Sequence, residues 1–281
     1  MFESGAAIKL AIVVLAISSM FGLGLKINRK ELGSLKESGP IVLGAFLLNF
    51  LILPVIAIFL GKWFALSYPI ALGIFLCASS PGGASGGLFV LKANGNPAIG
   101  GLLIATLNAA NTFITPFLFA QYTGGGKIEI NVLGYLLGVS LVVQGLPLLS
   151  GLISRLYLPK LSEKVLPWVE KLSTVALVIS ILLLAFAHAS DALLLGWNSW
   201  VVAALLIVIA LSAGTLFIRE ARSVQASVSM VTGVRSLSLA LLIAELYVNQ
   251  PETLLTILMY GLLMYILTWT VSLKWKDVKA K

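Results

Sequence analysis

Charge and sulfur are scarce in this 281-residue chain. Only 11% of its residues are charged, against 59% apolar, and the mean hydropathy is +1.04. A soluble domain needs more charge than that to cover its surface, so the chain reads as a polytopic membrane protein. The one cysteine, Cys77, excludes an intrachain disulfide and reads as a small packing residue inside an apolar run. The one histidine, His188, reads together with Asp191 as an interfacial cap at a helix end. Glu3 and Lys9 stand where a secretory leader would carry a basic region, and no small-residue cleavage pattern follows, so the first apolar run is expected to remain as a helix. The longest loops, Lys26 to Gly39 and Ser154 to Pro167, have about 14 residues and hold no soluble domain. Any chemistry belongs to the bundle.

Nine apolar stretches are long enough to span: Gly5 to Leu25, Pro40 to Gly61, Pro69 to Lys92, Ala98 to Phe119, Asn131 to Ile153, Trp168 to His188, Trp197 to Ile218, Val224 to Leu246 and Thr253 to Leu273. An odd count puts the termini on opposite sides. With the N-terminus outside, fifteen Lys and Arg fall on inner segments and three, Lys9, Lys62 and Lys127, on outer ones. That bias predicts a cytoplasmic C-terminus in an inner or plasma membrane, and it accounts for the net charge of +8 without nucleic acid. The Gly124-Gly125-Gly126 run of an outer loop reads as a turn.

The third stretch contains Cys77-Ala-Ser-Ser-Pro-Gly-Gly-Ala-Ser-Gly-Gly87. Pro81 removes a backbone donor, and glycines at 82, 83, 86 and 87 make extended or left-handed backbone cheap, so the helix is expected to break near mid-bilayer. Lipid cannot solvate the freed groups, so protein or a water-filled cavity must receive them. The eighth stretch carries a weaker break, Thr232-Gly233-Val234-Arg235-Ser236. Broken helices of opposite direction at corresponding places mark inverted-repeat transporters; the odd count suggests that one repeat lacks its first helix.

Polar residues gather around these breaks. Asn49, Thr106, Asn108, Asn111, Thr112, Thr115, Ser227, Ser229, Thr232, Ser236 and Ser238 all lie at membrane depth, with 108, 111, 112 and 115 on one helix face. Helix–helix glue is the plain reading of Ser and Thr; the asparagines, costlier to strand, point to cavity or crossover contacts. Gln144 with Pro147 suggests a kink in the fifth stretch. Arg235 is the sharpest residue, because a central arginine costs about 2.5–3.5 kcal/mol to insert. Glu245, ten residues on, is too far along the same helix to pair with it. Three partners stay open: an organic anion, the carbonyl ends of the broken helices, or a structural bond to Asn and Ser.

Met20-Phe-Gly-Leu-Gly-Leu-Lys26, Pro81-Gly82-Gly83-Ala84-Ser85, Asn94-Gly95-Asn96 and Gly233 resemble the bile acid:sodium symporter family over nearly the whole chain. The resemblance implies a core of stretches two, three, four, seven, eight and nine moving against a panel of one, five and six. It also implies that the chain starts at the second of the ten spans common in bacterial relatives. The family's sodium ligands are poorly matched. Its Ser-Asn pair after the first break falls on Gly86 and Gly87, and polar positions of the next helix fall on Gly100 and Ile104. Its acidic residue falls on Val231, its Gln-Asn pair on Arg235 and Ser236, and a Gln of the second span on Asn49. A hard cation wants several oxygens, and a guanidinium repels it.

The expectation is therefore an all-α, nine-span inverted-repeat carrier of a small or amphipathic organic anion, independent of sodium and without a cofactor. Ser80, Pro81, Gly82, Gly83, Ala84, Asn49, Asn108, Asn111, Thr232, Arg235, Ser236 and Ser238 are its candidate binding residues. A sodium-coupled symporter with an altered ion site and a proton-coupled carrier remain as alternatives. A cation/proton antiporter lacks a carboxylate at the crossover, and arginine does not deprotonate usefully. Gly83-Ala84-Ser85-Gly86-Gly87 matches G-x-S-x-G, but the hydrolase it suggests needs a base near Ser85. A non-transporting scaffold leaves two expensive breaks unexplained.

Overall fold

A computed structural model describes residues 2–27, 38–125, 129–187, 195–248 and 250–277, whose regular elements are all helices, with no strand among them. His188, Asp191, Gly126 and Lys127 lie outside the described residues, as do Arg29, Lys30 and Lys36 of the first basic loop. By length and composition, seven helices among the described residues can cross a membrane. They are α1 (Phe2–Lys26), α2 (Gly39–Trp63), α5 (Pro97–Thr123), α6 (Ile130–Tyr157), α7 (Pro159–Ala187), α8 (Gly196–Phe217) and α11 (Pro251–Asp277). The expected third and eighth spans are instead pairs of shorter helices: α3 (Tyr68–Ala78) with α4 (Gly86–Lys92), and α9 (Arg222–Gly233) with α10 (Leu237–Val248).

Two of the long helices are interrupted by a π-helical turn, at Leu48–Ile52 in α2 and at Leu141–Gly145 in α6. Each turn is followed at once by a proline, Pro54 or Pro147, whose ring displaces the carbonyl one turn back and removes the bond it would have accepted. The kink expected at Gln144 is thus a widened turn. Its counterpart in α2 carries Asn49, which has no exposed surface.

Helix α1 packs most extensively on α7 and on the second half of α6. The α1–α6 contact is backbone against backbone, because Gly24 sits over Leu148 and Gly151 over Phe21. On the other side α8 packs on α9 and α11, and α11 packs on α3. Between these groups the two breaks meet. The chain leaves helix after Ala78 and resumes it at Gly86, so Gly86 and Gly87 are helical and only Ser79 to Ser85 is irregular. Of the glycines there, Gly82 is the left-handed one, with φ +79°. The second break is shorter, from Val234 to Ser236.

The breaks pair as a one-residue antiparallel ribbon centred on Pro81 and Arg235. Gly83 N donates to Val234 O at 3.0 Å, and Ser236 N donates to Ser80 O at 2.7 Å. The strands approach so closely that a Cβ on Gly83 would run into the Arg235 carbonyl. At Gly87 the nearest obstacle is the tip of Ile104, at 3.7 Å, which is ordinary contact. Gly83→Ala is therefore expected to cost at least the roughly 1–3 kcal/mol of ordinary overpacking, whereas Gly87→Ala should leave the thermal midpoint of the purified protein within a few degrees of wild type. Equal midpoints for the two variants would contradict the ribbon.

Candidate functional site

The backbone freed by the first break is satisfied almost entirely by α5. Thr115 Oγ1 donates to Ser79 O at 2.6 Å, Asn111 Nδ2 donates to Pro81 O at 2.5 Å, and Asn108 Nδ2 donates to Gly82 O. With Ser80 O taken by Ser236 N, every carbonyl from Ser79 to Gly82 has a donor. The shared face of α5 read from the sequence is thus a rail of donors under the break. Thr115 Oγ1 also lies 3.0 Å from Asn111 Oδ1, so its one proton is shared between that amide and the shorter contact to Ser79 O.

The second break is braced by α2. Asn49 donates to Ala45 O at 2.7 Å and to Thr232 Oγ1 at 3.2 Å, and its Oδ1 accepts from Arg235 Nη1 at 2.8 Å. Arg235 is 2% exposed, and its backbone N–H meets the Met264 sulfur at 3.0 Å. Tyr260 and Cys77 are the ionisable side chains against its guanidinium. Glu245 is buried in the π-helical turn that ends α10, and Arg235 takes no part in the Lys26–Glu170 and Arg155–Glu163 ion pairs.

In front of the ribbon, between it and helices α1 and α7, lies a cavity of about 330 Å³. Of the candidate residues, Gly83, Ala84, Arg235, Ser236 and Ser238 line it. Asn49, Asn108, Asn111, Thr232, Ser80, Pro81 and Gly82 do not; they lie behind, holding the breaks in place. Asn49, Tyr260 and Cys77, which surround the guanidinium, also line no part of it. The arginine side chain therefore turns away from the cavity that its backbone helps to wall. Gly83 N and Ser236 N are spent on the ribbon, whereas Ala84, Ser85 and Ser238 N–H close no hydrogen bond to a described residue.

The cavity's opposite wall was not legible from the breaks. Ser18 and Ser19 of α1 and Ser173 and Thr174 of α7 bring hydroxyls to it, and Ser19 Oγ reaches Ser238 Oγ at 3.4 Å. At the rim Lys26 pairs with Glu170, both partly exposed at 40% and 48%. The adjacent serine pair in the middle of an apolar run was the available signal. A second cavity of about 360 Å³ adjoins the first, sharing Leu23, Lys26, Ala84, Leu88 and Glu170 and extending along the apolar faces of α4 and α5. Ser85 Oγ is paired with the Tyr265 hydroxyl at 3.1 Å, a phenol and not a base, so the G-x-S-x-G match has no activated nucleophile here.

Removing one amide of the rail strands a buried carbonyl, a loss of about 1–3 kcal/mol. Asn108→Ala and Asn111→Ala are each expected to lower the thermal midpoint clearly, while Thr106→Ala, whose hydroxyl only returns to its own helix at Leu102 O, should not. Indistinguishable midpoints for all three variants would sink the rail.

The family profile described as the Sodium Bile acid symporter family matches residues 12–194. A probable sodium/metabolite cotransporter, BASS1 of Arabidopsis thaliana chloroplasts, is 27% identical over 241 residues, 84% of this chain and 59% of that protein. The hepatic sodium/bile acid cotransporter of Rattus norvegicus is 28% identical over 156 residues, 54% of this chain and 42% of its own. The human P3 protein is 29% identical over 158 residues, 55% of this chain and 33% of its own. The chain thus spans less than two thirds of the length of each of these relatives. With the profile covering well over half of the sequence, and the Pro-Gly-Gly break within it, this integral membrane protein belongs to the Sodium Bile acid symporter family.

Proposed function

We propose that the protein is a secondary transporter that carries a small or amphipathic organic anion by alternating access and does not couple to sodium. The observation that supports it is the cavity in front of the ribbon, where the residues with uncommitted N–H groups, Ala84, Ser85 and Ser238, converge with hydroxyls and the Lys26–Glu170 pair. Backbone N–H groups at helix starts favour negative charge. The adjoining apolar cavity suits the tail of an amphipathic molecule, and both volumes are in the usual range for small-molecule sites. The names of two relatives, a sodium/metabolite and a sodium/bile acid cotransporter, agree with an organic cargo.

In this reading each broken pair, α3 with α4 and α9 with α10, makes one crossing, which with the seven long helices gives nine spans and an N-terminus outside. Helices α1, α6 and α7 form the panel, and the rest form the core. The cavity lies between them with its rim at the end where α1 finishes in Lys26, the cytoplasmic side of this topology. A shift of the core along α1 and α7, breaking the Ser19–Ser238 contact, exposes the same residues to the other side.

The back of the ribbon supports the sodium-independent reading. Carbonyls that would offer a cation their oxygens already accept bonds from Asn108, Asn111, Thr115 and Ser236, and a guanidinium is buried at the same crossover. That charge ties the second break to α2 through Asn49, the bracing role that a bound ion would otherwise fill.

The test is the thermal midpoint of purified protein in sodium against an equal concentration of choline, followed by organic-anion uptake into proteoliposomes. A specific ion at about 100 times its dissociation constant stabilises by about 2.7 kcal/mol, so an occupied sodium site is visible; the expected shift is nil. Arg235→Gln is expected to abolish uptake or to create a cation requirement. A sodium-dependent rise in the wild-type midpoint, or unchanged sodium-independent uptake by Arg235→Gln, would overturn the reading.

A further inference from the structure

Where α8 and α11 finish and α9 begins, the helix ends enclose an open cavity of about 660 Å³ that shares no lining residue with the two beside the ribbon. Its charge comes from Arg222 at the start of α9, Lys274 near the end of α11 and Glu220 in the short link between α8 and α9. Lys274 lies one turn from Val271 and next to Trp275, so the three share a face of α11. The Arg222 guanidinium carbon stands 5.3 Å from the centre of the Trp275 ring, which seats the planar group on the cavity wall. Gln225, one turn on from Arg222, donates to Ile218 O at 2.9 Å and fixes the link that carries Glu220. Arg222 and Lys274 take no part in the Lys26–Glu170 and Arg155–Glu163 ion pairs, and Glu220 closes no ion pair with either among the described residues.

Two cations and one carboxylate leave the cavity with a single positive charge, the complement of one phosphodiester. We infer that it holds the headgroup of an anionic phospholipid, with the phosphodiester between the Arg222 guanidinium and the Lys274 ammonium. A guanidinium offers a phosphate two parallel N–H bonds, and a lysine adds a point charge. Glu220 opposes a second negative charge and accepts from hydroxyls, which suits a glycerol headgroup better than a phosphomonoester. The surroundings favour a lipid over free phosphate. Leu216 and Phe217, which follow Thr215 at the end of α8, are 68% and 55% exposed, and Leu273 beside Lys274 is exposed as well. These apolar side chains belong to helices long enough to cross a membrane, so acyl chains would cover them. Trp275 in the wall and the exposed Trp269 in the same helix suit the headgroup depth at which tryptophan gathers.

In the topology proposed above this is the cytoplasmic end of all three helices, the side whose leaflet carries the negative surface potential. A lipid gripped by Arg222 and Lys274 ties the start of α9 to the end of α11. It thereby fastens the broken α9–α10 crossing to a continuous helix at the end remote from the ribbon. The site rests on where these helix ends lie and not on the cargo or its coupling.

The experiment titrates the purified full chain, in micelles of a neutral detergent, with dioleoyl phosphatidylglycerol and separately with dioleoyl phosphatidylcholine, reading the thermal midpoint. Wild type is expected to show a saturable rise with phosphatidylglycerol and none with phosphatidylcholine. Inorganic phosphate and glycerol phosphate at the same concentrations should not reproduce it. Arg222→Gln and Lys274→Gln, both at exposed positions, should each raise the half-saturating lipid concentration about five-fold, the effect of one basic residue at an anionic lipid surface. Lys160→Gln makes the same charge change at an exposed position of α7 outside the cavity and should leave it unchanged. The inference is overturned if phosphatidylcholine gives the same rise, if free phosphate or glycerol phosphate suffices, or if Lys160→Gln weakens the response as much as the two cavity variants do.

Discussion

Unsolvated backbone is the constraint on which the rest of this bundle depends. Two helices are cut within membrane depth, and a buried peptide group left without a partner costs about 1–3 kcal/mol or more. The chain answers by making the breaks each other's partners, through the Pro81–Arg235 ribbon, and by placing Asn108, Asn111 and Thr115 on one face of α5 to receive the remaining carbonyls. Gly83 is required by this solution because the two backbones touch where its side chain would be. The proline-induced π-helical turn in α2 serves the same end, since it puts Asn49 between Thr232 and Arg235.

The ribbon divides its surroundings chemically. Behind it are amides whose bonds hold backbone in place, together with a phenol and the guanidinium, all buried. In front are hydroxyls, a lysine–glutamate pair and residues whose N–H groups are uncommitted, around a space of molecular size. One side is closed and hydrogen-bonded to backbone, and the other borders open space. That division explains how a single fixed charge can brace the crossover from behind while hydroxyls and backbone wall the cavity in front.

The wall that completes the front cavity comes from α1 and α7, helices that are bound to each other and to α6 more extensively than to the breaks. A direct polar contact, Ser19 Oγ to Ser238 Oγ, joins that wall to the start of α10. An interface of that kind can be remade after sliding, because hydroxyl pairs find equivalent partners one turn away, whereas interdigitated apolar packing does not.

The all-helical class, the two breaks, the burial of Arg235 and the glue-bearing face of α5 were legible in the sequence, because each rests on local chemistry: apolar length, proline and glycine, and the period of a helix. What no local pattern contains is direction across space. Only the folded chain decided that Asn108 and Asn111 point at backbone instead of into the cavity, that Gly83 and Ser236 spend their N–H groups on each other's strands, and that the guanidinium turns back towards Asn49 and Tyr260. Ser18, Ser19, Ser173 and Thr174 became candidate site residues for the same reason, since their neighbours across the cavity are more than sixty positions away in the chain. Sequence determined which groups the membrane would refuse to solvate; tertiary structure decided which of them satisfy one another and which are left for a ligand.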